Sequence, residues 1–164
     1  LEGGKIPLLS EALELFPELR FNIDIKTEDA LNETIKIVKD MTALNRICLA
    51  SFSSTRLERI RKIAGPEACT SSGQMEIFKM MCKSVGLPAK NTPGHCAQVP
   101  VSQWGVPVIT KKFIKTAKDL NKLVHVWTID DQETMNELID LGVDGLMTDK
   151  PSILKKALIA RGLF

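Results

Sequence analysis

Residues 124–151 read VHVWTIDDQETMNELIDLGVDGLMTDKP, and this stretch decides the fold class. It opens with a β-rich run, Val124 to Ile129, and continues with an amphipathic helical pattern that ends at Gly142. A second β-rich run, Gly145 to Thr148, closes it. Glycine just after the last helical residue is the usual helix C-cap. A strand, a helix and a second strand in direct succession are typical of a parallel sheet covered by helices.

Four residues predict where the helices of this stretch begin. Asp130 and Glu133 have the spacing of a capping box, so we expect Asp130 to cap the first helix. Pro151 is predicted in the first turn of the next helix, where its missing amide hydrogen costs nothing. Asp149 is the predicted cap of that helix.

The same alternation extends along the rest of the chain. Helical patterns separate further β-rich runs, which are Phe21–Ile25, Ile47–Phe52, Ala68–Ser71 and Cys96–Val101. Residues 86–109, with four of the eight prolines, are predicted to form a long loop. Because no linker or low-complexity tract interrupts the pattern, we predict a single domain over residues 1–164.

Two architectures fit this alternation, an open doubly wound sheet and a β/α barrel. No G-x-G-x-x-G or P-loop motif follows any of the predicted strands, which removes the nucleotide-binding signatures of the first architecture. A complete eight-unit barrel needs about 250 residues. The 164 residues of this chain are too few for one, so only part of a barrel is expected.

Composition excludes several classes of protein. The chain is 44% hydrophobic and 26% charged, the balance of a globular protein. A net charge of +2 gives no basic surface for nucleic acid, and the short apolar runs give no membrane-spanning segment. The four cysteines form no C-x-x-C pair, which argues against a structural zinc site. Cysteines without a disulfide framework fit a reducing compartment, so we expect a cytoplasmic protein.

The run Phe21–Ile25 and the residue after it carry an unusual set of polar side chains. In a strand, Asn22, Asp24 and Lys26 share one face, whereas Ile23 and Ile25 share the other. The isoleucines are expected to pack on helices, which turns the polar groups towards the opposite face. A carboxylate two residues from a lysine can bind a metal ion while the lysine neutralises a phosphate. An internal ion pair, or an edge strand with one solvated face, explains the pattern equally well.

Trp127 lies near the carboxyl end of its predicted strand, where α/β barrels build active sites. Alternation puts His125, Trp127 and Ile129 on one face of the strand and Thr128 on the other. An indole at this end can form the wall of a pocket for a small organic group, although a large core residue fits the pattern as well. His125 is interpreted as a core histidine.

Taken together, these segments resemble the glycerophosphodiester phosphodiesterase family. The matching segments, in order, are residues 5–9 before a helix that ends at Phe16-Pro17, Asn22–Lys26, Ser51-Phe52, Val126–Asp130, and Gly142–Gly145 with Thr148–Pro151. Their order and spacing, spread over nearly the whole chain, make the resemblance specific.

The resemblance implies a fold, an activity and a set of site residues. Members of that family are (β/α)8 TIM-type barrels that hydrolyse glycerophosphodiesters to an alcohol and glycerol 3-phosphate with a divalent cation, usually Mg²⁺ or Ca²⁺. Asp24 matches the carboxylate that binds the metal, and Lys26 matches the lysine that faces the phosphate. Trp127 matches the tryptophan that lines the substrate pocket, and Ser51 with Phe52 matches the pocket end of the family's fifth strand.

The resemblance also implies what the chain leaves out. The first three strands of the family bring two histidines that act as general acid and base, and acidic residues that complete the metal site. These histidines and acidic residues are expected upstream of Leu1. Only about strands 4–8 of the barrel are therefore expected here, and the chain alone is predicted to be inactive. The family usually has glutamate where this chain has Asp24, one methylene shorter.

Other interpretations remain open at this point. The chain can be a non-catalytic partial barrel that binds a phosphorylated ligand, or a subunit that another chain completes. Open strand edges favour a homo-oligomer. A barrel phosphodiesterase of the phospholipase type is disfavoured because the chain has no Tyr and only two Trp to contact lipid. The expected setting is lipid and glycerol metabolism, with a small glycerophosphodiester as the partner.

Overall fold

The computed structural model describes residues 4–164 of the chain. Strands and helices alternate along it and the main sheets are parallel, so the predicted α/β class is confirmed. The strands are β1 (Phe21–Asp24), β2 (Ile47–Ala50), β3 (Cys69–Thr70), β4 (Cys96–Val99), β5 (Ser102–Gln103), β6 (Val106–Pro107), β7 (Leu123–Val126) and β8 (Gly145–Leu146). The helices are α1 (Leu9–Leu15), α2 (Glu28–Asp40), α3 (Ser54–Ala64), α4 (Gln74–Ser84), α5 (Lys111–Asp119), α6 (Gln132–Leu141) and α7 (Pro151–Ile159), and a 3₁₀ turn covers Leu44–Arg46.

The chain divides into two compact units, Leu1–Gln74 and Met75–Phe164. The first unit has the parallel sheet β1-β2-β3, in which Asp24 lies opposite Ala50. The helices of this unit pack on one side of the sheet, and their buried residues form one core with those of the strands. The core residues include Leu31, Ile35 and Val38 of α2, Leu57 and Ile60 of α3, Ile47 and Leu49 of β2, and Ile25 directly after β1.

The position of α1 in the first unit depends on one arginine. The Arg46 guanidinium donates to the carbonyl oxygens of Leu13 at 2.7 Å, Phe16 at 2.9 Å and Leu19 at 3.0 Å. These carbonyls belong to the last turn of α1 and to the segment after it, where a helix leaves its acceptors without intrahelical donors. Arg46 therefore joins α1 to the 3₁₀ turn before β2.

The second unit has the parallel sheet β4-β7-β8. Val124 and Val126 of β7 lie on the side covered by helices, in a core that also contains Phe113 and Met135. His125 alternates with them, and its partners across the sheet are Gln98 in β4 and Gly145 in β8. Gln98, His125 and Gly145 thus form one row on the face opposite the helices.

Part of the predicted loop 86–109 is an antiparallel hairpin. β5 and β6 pair with Ser102 opposite Pro107. Trp104 and Gly105 occupy the turn with φ angles of 50° and 77°, the combination that two-residue hairpins of type I′ need. The indole of Trp104 is exposed.

The structure corrects two of the predicted helix caps. Asp131, not Asp130, caps α6, because its side chain accepts from the amide of Thr134. Lys150 occupies the cap position of α7 without a side-chain hydrogen bond, so the prediction for Asp149 is wrong. Pro151 does begin α7 as predicted. Within residues 4–164, every helix is too short or too polar to cross a membrane.

Candidate active site

The carboxyl end of β1 brings Asp24 and Lys26 together. Ile25 is buried in the core of the first unit and Ile23 packs against that core, so the predicted orientation of the two isoleucines is confirmed. Asp24 is the last residue of β1, and its Oδ2 atom lies 2.6 Å from Nζ of Lys26. The Asp24 side chain is 28% exposed and that of Lys26 is 75% exposed, so the ammonium group remains accessible to solvent.

The second oxygen of Asp24 is unsatisfied. Oδ1 is buried and has no hydrogen-bond partner. A buried carboxylate oxygen normally has a donor or a cation beside it, because leaving it bare is costly. Oxygen is the ligand that Mg²⁺ and Ca²⁺ prefer, so this atom fits the divalent cation that the resemblance implies. Residues 4–164 contain no group of three or more His, Cys, Asp or Glu side chains placed to hold a metal ion, so Asp24 is not part of such a group within the described residues.

Phe52 lies beside this pair, in the turn between β2 and α3. Nζ of Lys26 is 5.9 Å from the centre of the Phe52 ring, within the range of a cation–π contact. The ring is more than half exposed. Asp24, Lys26 and Phe52 therefore form one cluster at the carboxyl ends of two neighbouring strands.

Ser51 directly precedes Phe52, and its hydroxyl makes hydrogen bonds within the protein. The residue is buried, and Oγ donates to the carbonyl oxygen of Ile25 at 2.8 Å. The same Oγ accepts from Nη1 of Arg56 at 2.9 Å. These contacts join the turn after β1 to the turn after β2. The predicted substrate-binding role of Ser51 stays a prediction.

Trp127 belongs to the second unit and follows β7 directly. Its amide donates to the carbonyl oxygen of Val99 at 3.2 Å, and its side chain is half-buried. Ile129 is buried in the core whereas Thr128 is exposed, so the predicted faces of these two residues are wrong. The physical reason is that β7 ends at Val126, beyond which strand alternation no longer applies. His125 lies half-buried against Gly145.

Sequence reasoning missed a polar bridge in the second unit. Oδ1 of Asp130 accepts from Oγ1 of Thr148 at 2.9 Å and from the amide of Asp149 at 2.8 Å. Asp130 thereby joins the turn after β7 to the turn after β8. The available signal was an aspartate directly after the predicted strand Val124–Ile129, but it was interpreted as a helix cap.

The chain matches the model of the glycerophosphoryl diester phosphodiesterase family over residues 1–153. The chain belongs to this family. The predicted membership is thus confirmed, since the match covers nearly the whole sequence. It accounts for a parallel α/β fold with polar residues at the carboxyl ends of its strands.

Curated relatives bear the same family name. The chain is 33% identical over 165 residues to a probable glycerophosphodiester phosphodiesterase 2 of Mycobacterium tuberculosis, an alignment that covers 98% of this chain and 62% of the relative. It is 26% identical to a glycerophosphodiester phosphodiesterase of Caldanaerobacter subterraneus, covering 93% of this chain and 61% of that protein. The chain therefore spans about three fifths of the length of these relatives.

Solved structures show the fold of the family. A glycerophosphodiester phosphodiesterase from Parabacteroides distasonis superposes with a TM-score of 0.75 at 24% identity, over 95% of this chain and 65% of that one. A phosphodiesterase from Oleispira antarctica, solved in complex with the product sn-glycerol-3-phosphate, gives a TM-score of 0.68 at 18% identity, over 93% of this chain and 61% of that one. At these identities the likeness bears on the fold alone, and it implies a TIM-barrel-like α/β fold.

Proposed function

We propose that the protein containing this chain hydrolyses glycerophosphodiesters to an alcohol and glycerol 3-phosphate. The observation that carries the proposal is the state of Asp24, whose Oδ2 is held by Lys26 at 2.6 Å while its buried Oδ1 lacks a partner. One oxygen is thus fixed in direction and the other is left for a cation. The family match and the names of the relatives support the same reaction.

Asp24 would hold a divalent cation, Mg²⁺ or Ca²⁺, through Oδ1. When bound, such an ion supplies positive charge that stabilises the negative charge developing on a phosphodiester in the transition state. Asp24 is one methylene shorter than the glutamate usual in the family. We propose that the other ligands, together with the two histidines that act as general acid and base, come from strands upstream of this chain.

Lys26 binds the phosphate of the substrate. The Lys26 side chain is largely exposed, and its ammonium group is held by the contact with Oδ2 of Asp24. A substrate phosphate can share that ammonium with Oδ2, because an ammonium group has three donors. Phe52 provides apolar surface beside Lys26, and Ser51 supports the pocket end of β2. The family resemblance assigns Trp127 to the lining of the substrate pocket, and we propose the same role for it here.

The chain corresponds to about strands 4–8 of the barrel, which is why we propose that residues 1–164 alone are inactive. The share of the relatives that the chain covers, 62% and 61%, supports a part of the barrel rather than the whole of it. With glycerol 3-phosphate as its product, the proposed reaction would belong to glycerol and lipid metabolism. All four cysteines are present as thiols, which suits the cytoplasm.

One observation favours a second candidate function. Because residues 4–164 hold a single candidate metal carboxylate and no three-ligand cluster, a phosphate-binding module without catalysis accounts for Lys26 as well. The module would be completed by another chain or by a second copy of this one. It would bind glycerol 3-phosphate without turning over the diester.

The test is the release of glycerol 3-phosphate from glycerophosphocholine with Mg²⁺ or Ca²⁺ and an EDTA control. The longer protein and residues 1–164 are assayed side by side. We expect turnover by the longer protein only, loss on addition of EDTA, and a loss of about 100-fold or more in Asp24→Ala. Glu18→Ala, which removes an exposed carboxylate elsewhere in the first unit, is the matched control and should keep full activity. No turnover with either ion, together with saturable binding of glycerol 3-phosphate, would favour the non-catalytic module.

A further inference from the structure

Arg56 connects the two turns that carry the residues of the candidate site. It lies in the first turn of α3, where its amide donates to Oγ of the cap residue Ser53 at 3.2 Å. Its Nη1 donates to the carbonyl oxygen of Ile25 at 3.1 Å and to Oγ of Ser51 at 2.9 Å. The side chain is only 15% exposed. Because the Arg56 side chain is mostly buried and makes several hydrogen bonds, its geometry is fixed.

The two acceptors of Nη1 belong to the residues directly before Lys26 and Phe52. Ile25 precedes Lys26, and Ser51 precedes Phe52. The carbonyl of Ile25 lies beyond the last residue of β1, and it accepts from Ser51 as well as from Arg56. A shift of this carbonyl changes the direction in which the chain enters Lys26. Arg56 is thus placed to control Lys26 and Phe52 together.

Glu28 fixes the other edge of the guanidinium. Nε of Arg56 donates to Oε1 of Glu28 at 3.1 Å, and Nη1 of Arg59 donates to Oε2 of the same carboxylate. The planar guanidinium can bond in two directions at once, which the single ammonium of a lysine cannot do with the same geometry. The arrangement therefore requires arginine rather than any cation.

We propose that Arg56 is a positioning residue that holds Lys26 and Phe52 in the geometry needed to bind the substrate phosphate. This inference rests on the proposed function, because it assigns Lys26 to the phosphate. Arg56 itself does not touch the substrate. Its effect is transmitted through the carbonyl of Ile25 and the hydroxyl of Ser51.

The role of Arg56 predicts a particular kinetic signature in the longer protein. The contact between Lys26 and phosphate is made in the ground state as well as in the transition state, so weakening it raises KM more than it lowers kcat. We expect Arg56→Ala to raise the KM for glycerophosphocholine about tenfold, the equivalent of one charge-assisted hydrogen bond. A merely structural role would instead reduce the amount of folded enzyme, and with it the apparent kcat, at unchanged KM.

A second readout does not depend on activity. The rate at which an amine-reactive acetylating reagent modifies Lys26 is measured by mass spectrometry, with Lys115 as the internal reference. In Arg56→Ala we expect the relative rate at Lys26 to change severalfold, because its contact with Asp24 is altered. Arg56→Lys should recover only part of the wild-type KM and labelling rate. Lys62→Ala, an exposed cation on the same helix, is the control and should change neither value.

The outcomes separate the inference from the proposed function. A wild-type protein without hydrolytic activity overturns the proposed function, and the labelling of Lys26 then still decides whether Arg56 positions that residue. A raised KM with altered labelling supports the inference. Unchanged labelling in Arg56→Ala overturns it, whether or not the enzyme is active, and so does full rescue of both values by Arg56→Lys.

Discussion

Replacing Gly145 with alanine tests how closely β7 and β8 pack on the face opposite the helices. An ideal Cβ at this position would lie 2.9 Å from Cδ2 of His125, 3.4 Å from Cγ and 3.5 Å from Nε2. Carbon atoms in favourable contact are about 3.5–4.0 Å apart, so the imidazole must turn or the strands must separate. Overpacking of this kind costs about 1–3 kcal/mol. Alanine also restricts the unfolded chain, which raises the free energy of unfolding by about 0.4–1 kcal/mol. The free energy of unfolding should therefore fall by about 1–2 kcal/mol.

The assay is urea-induced unfolding of four proteins, the wild type, Gly145→Ala, His125→Ala and the double variant. In the His125→Ala background, Gly145→Ala should not lower the free energy of unfolding, because the ring that the new methyl group meets is absent. An equal cost in both backgrounds would refute the reasoning, since the contact with His125 would then not be its cause. Gly4→Ala is the matched control, because nothing lies within 4 Å of a Cβ added there, and its free energy of unfolding should not fall.

Two further predictions concern arginines away from the candidate site. Arg46→Ala should lower the free energy of unfolding by about 2 kcal/mol, because the carbonyl of Leu13 and its neighbours lose their charged donor. Hydrogen exchange should then show that α1 loses protection first. Unchanged protection of α1 would contradict this prediction. Arg161 donates two hydrogen bonds to Asp140 and holds the pKa of that carboxyl below its ordinary 3.8, so Arg161→Ala should raise the Asp140 pKa in an NMR titration. Since the folded-state pKa is lowered, the stability that this pair contributes is present above about pH 4 and is lost as pH falls through the lowered value. Arg161 also donates to Oδ1 of Asn136, and that contact is independent of pH. A difference in the free energy of unfolding between wild type and Arg161→Ala that does not shrink at all as pH falls would speak against the ion pair.

The sequence predicts those features that depend on neighbours along the chain. The strand–helix alternation is a local pattern, and so is the parity that separates Asp24 and Lys26 from Ile23 and Ile25. The faces of Thr128 and Ile129 were predicted by the same rule and are wrong, because the rule holds only as far as the strand does. The end of a strand depends on its pairing with other strands, which a single run of residues does not record.

Contacts between distant residues were beyond prediction for a different reason. Arg56 reaches the carbonyl of Ile25 across 31 positions of sequence, and Arg46 reaches that of Leu13 across 33. In the sequence both look like ordinary basic residues of a solvated surface. Their acceptors are main-chain carbonyls, which every residue has, so no residue type marks the partner. Only the folded chain shows which carbonyl is left without a donor.

In both units, polar side chains bond the main-chain groups that lie just beyond the ends of the parallel strands. Where parallel strands end, main-chain groups lose the partners that the sheet supplies, and polar side chains from the next turn take their place. In the first unit Arg56 and Ser51 bond the carbonyl of Ile25, and in the second Asp130 bonds the amide of Asp149. Each bridge fixes one turn against its neighbour at the edge where barrels of this class place their catalytic residues. A side chain such as Lys26 can then lie on a turn, open to solvent, and still be held in one direction by its contact with Asp24.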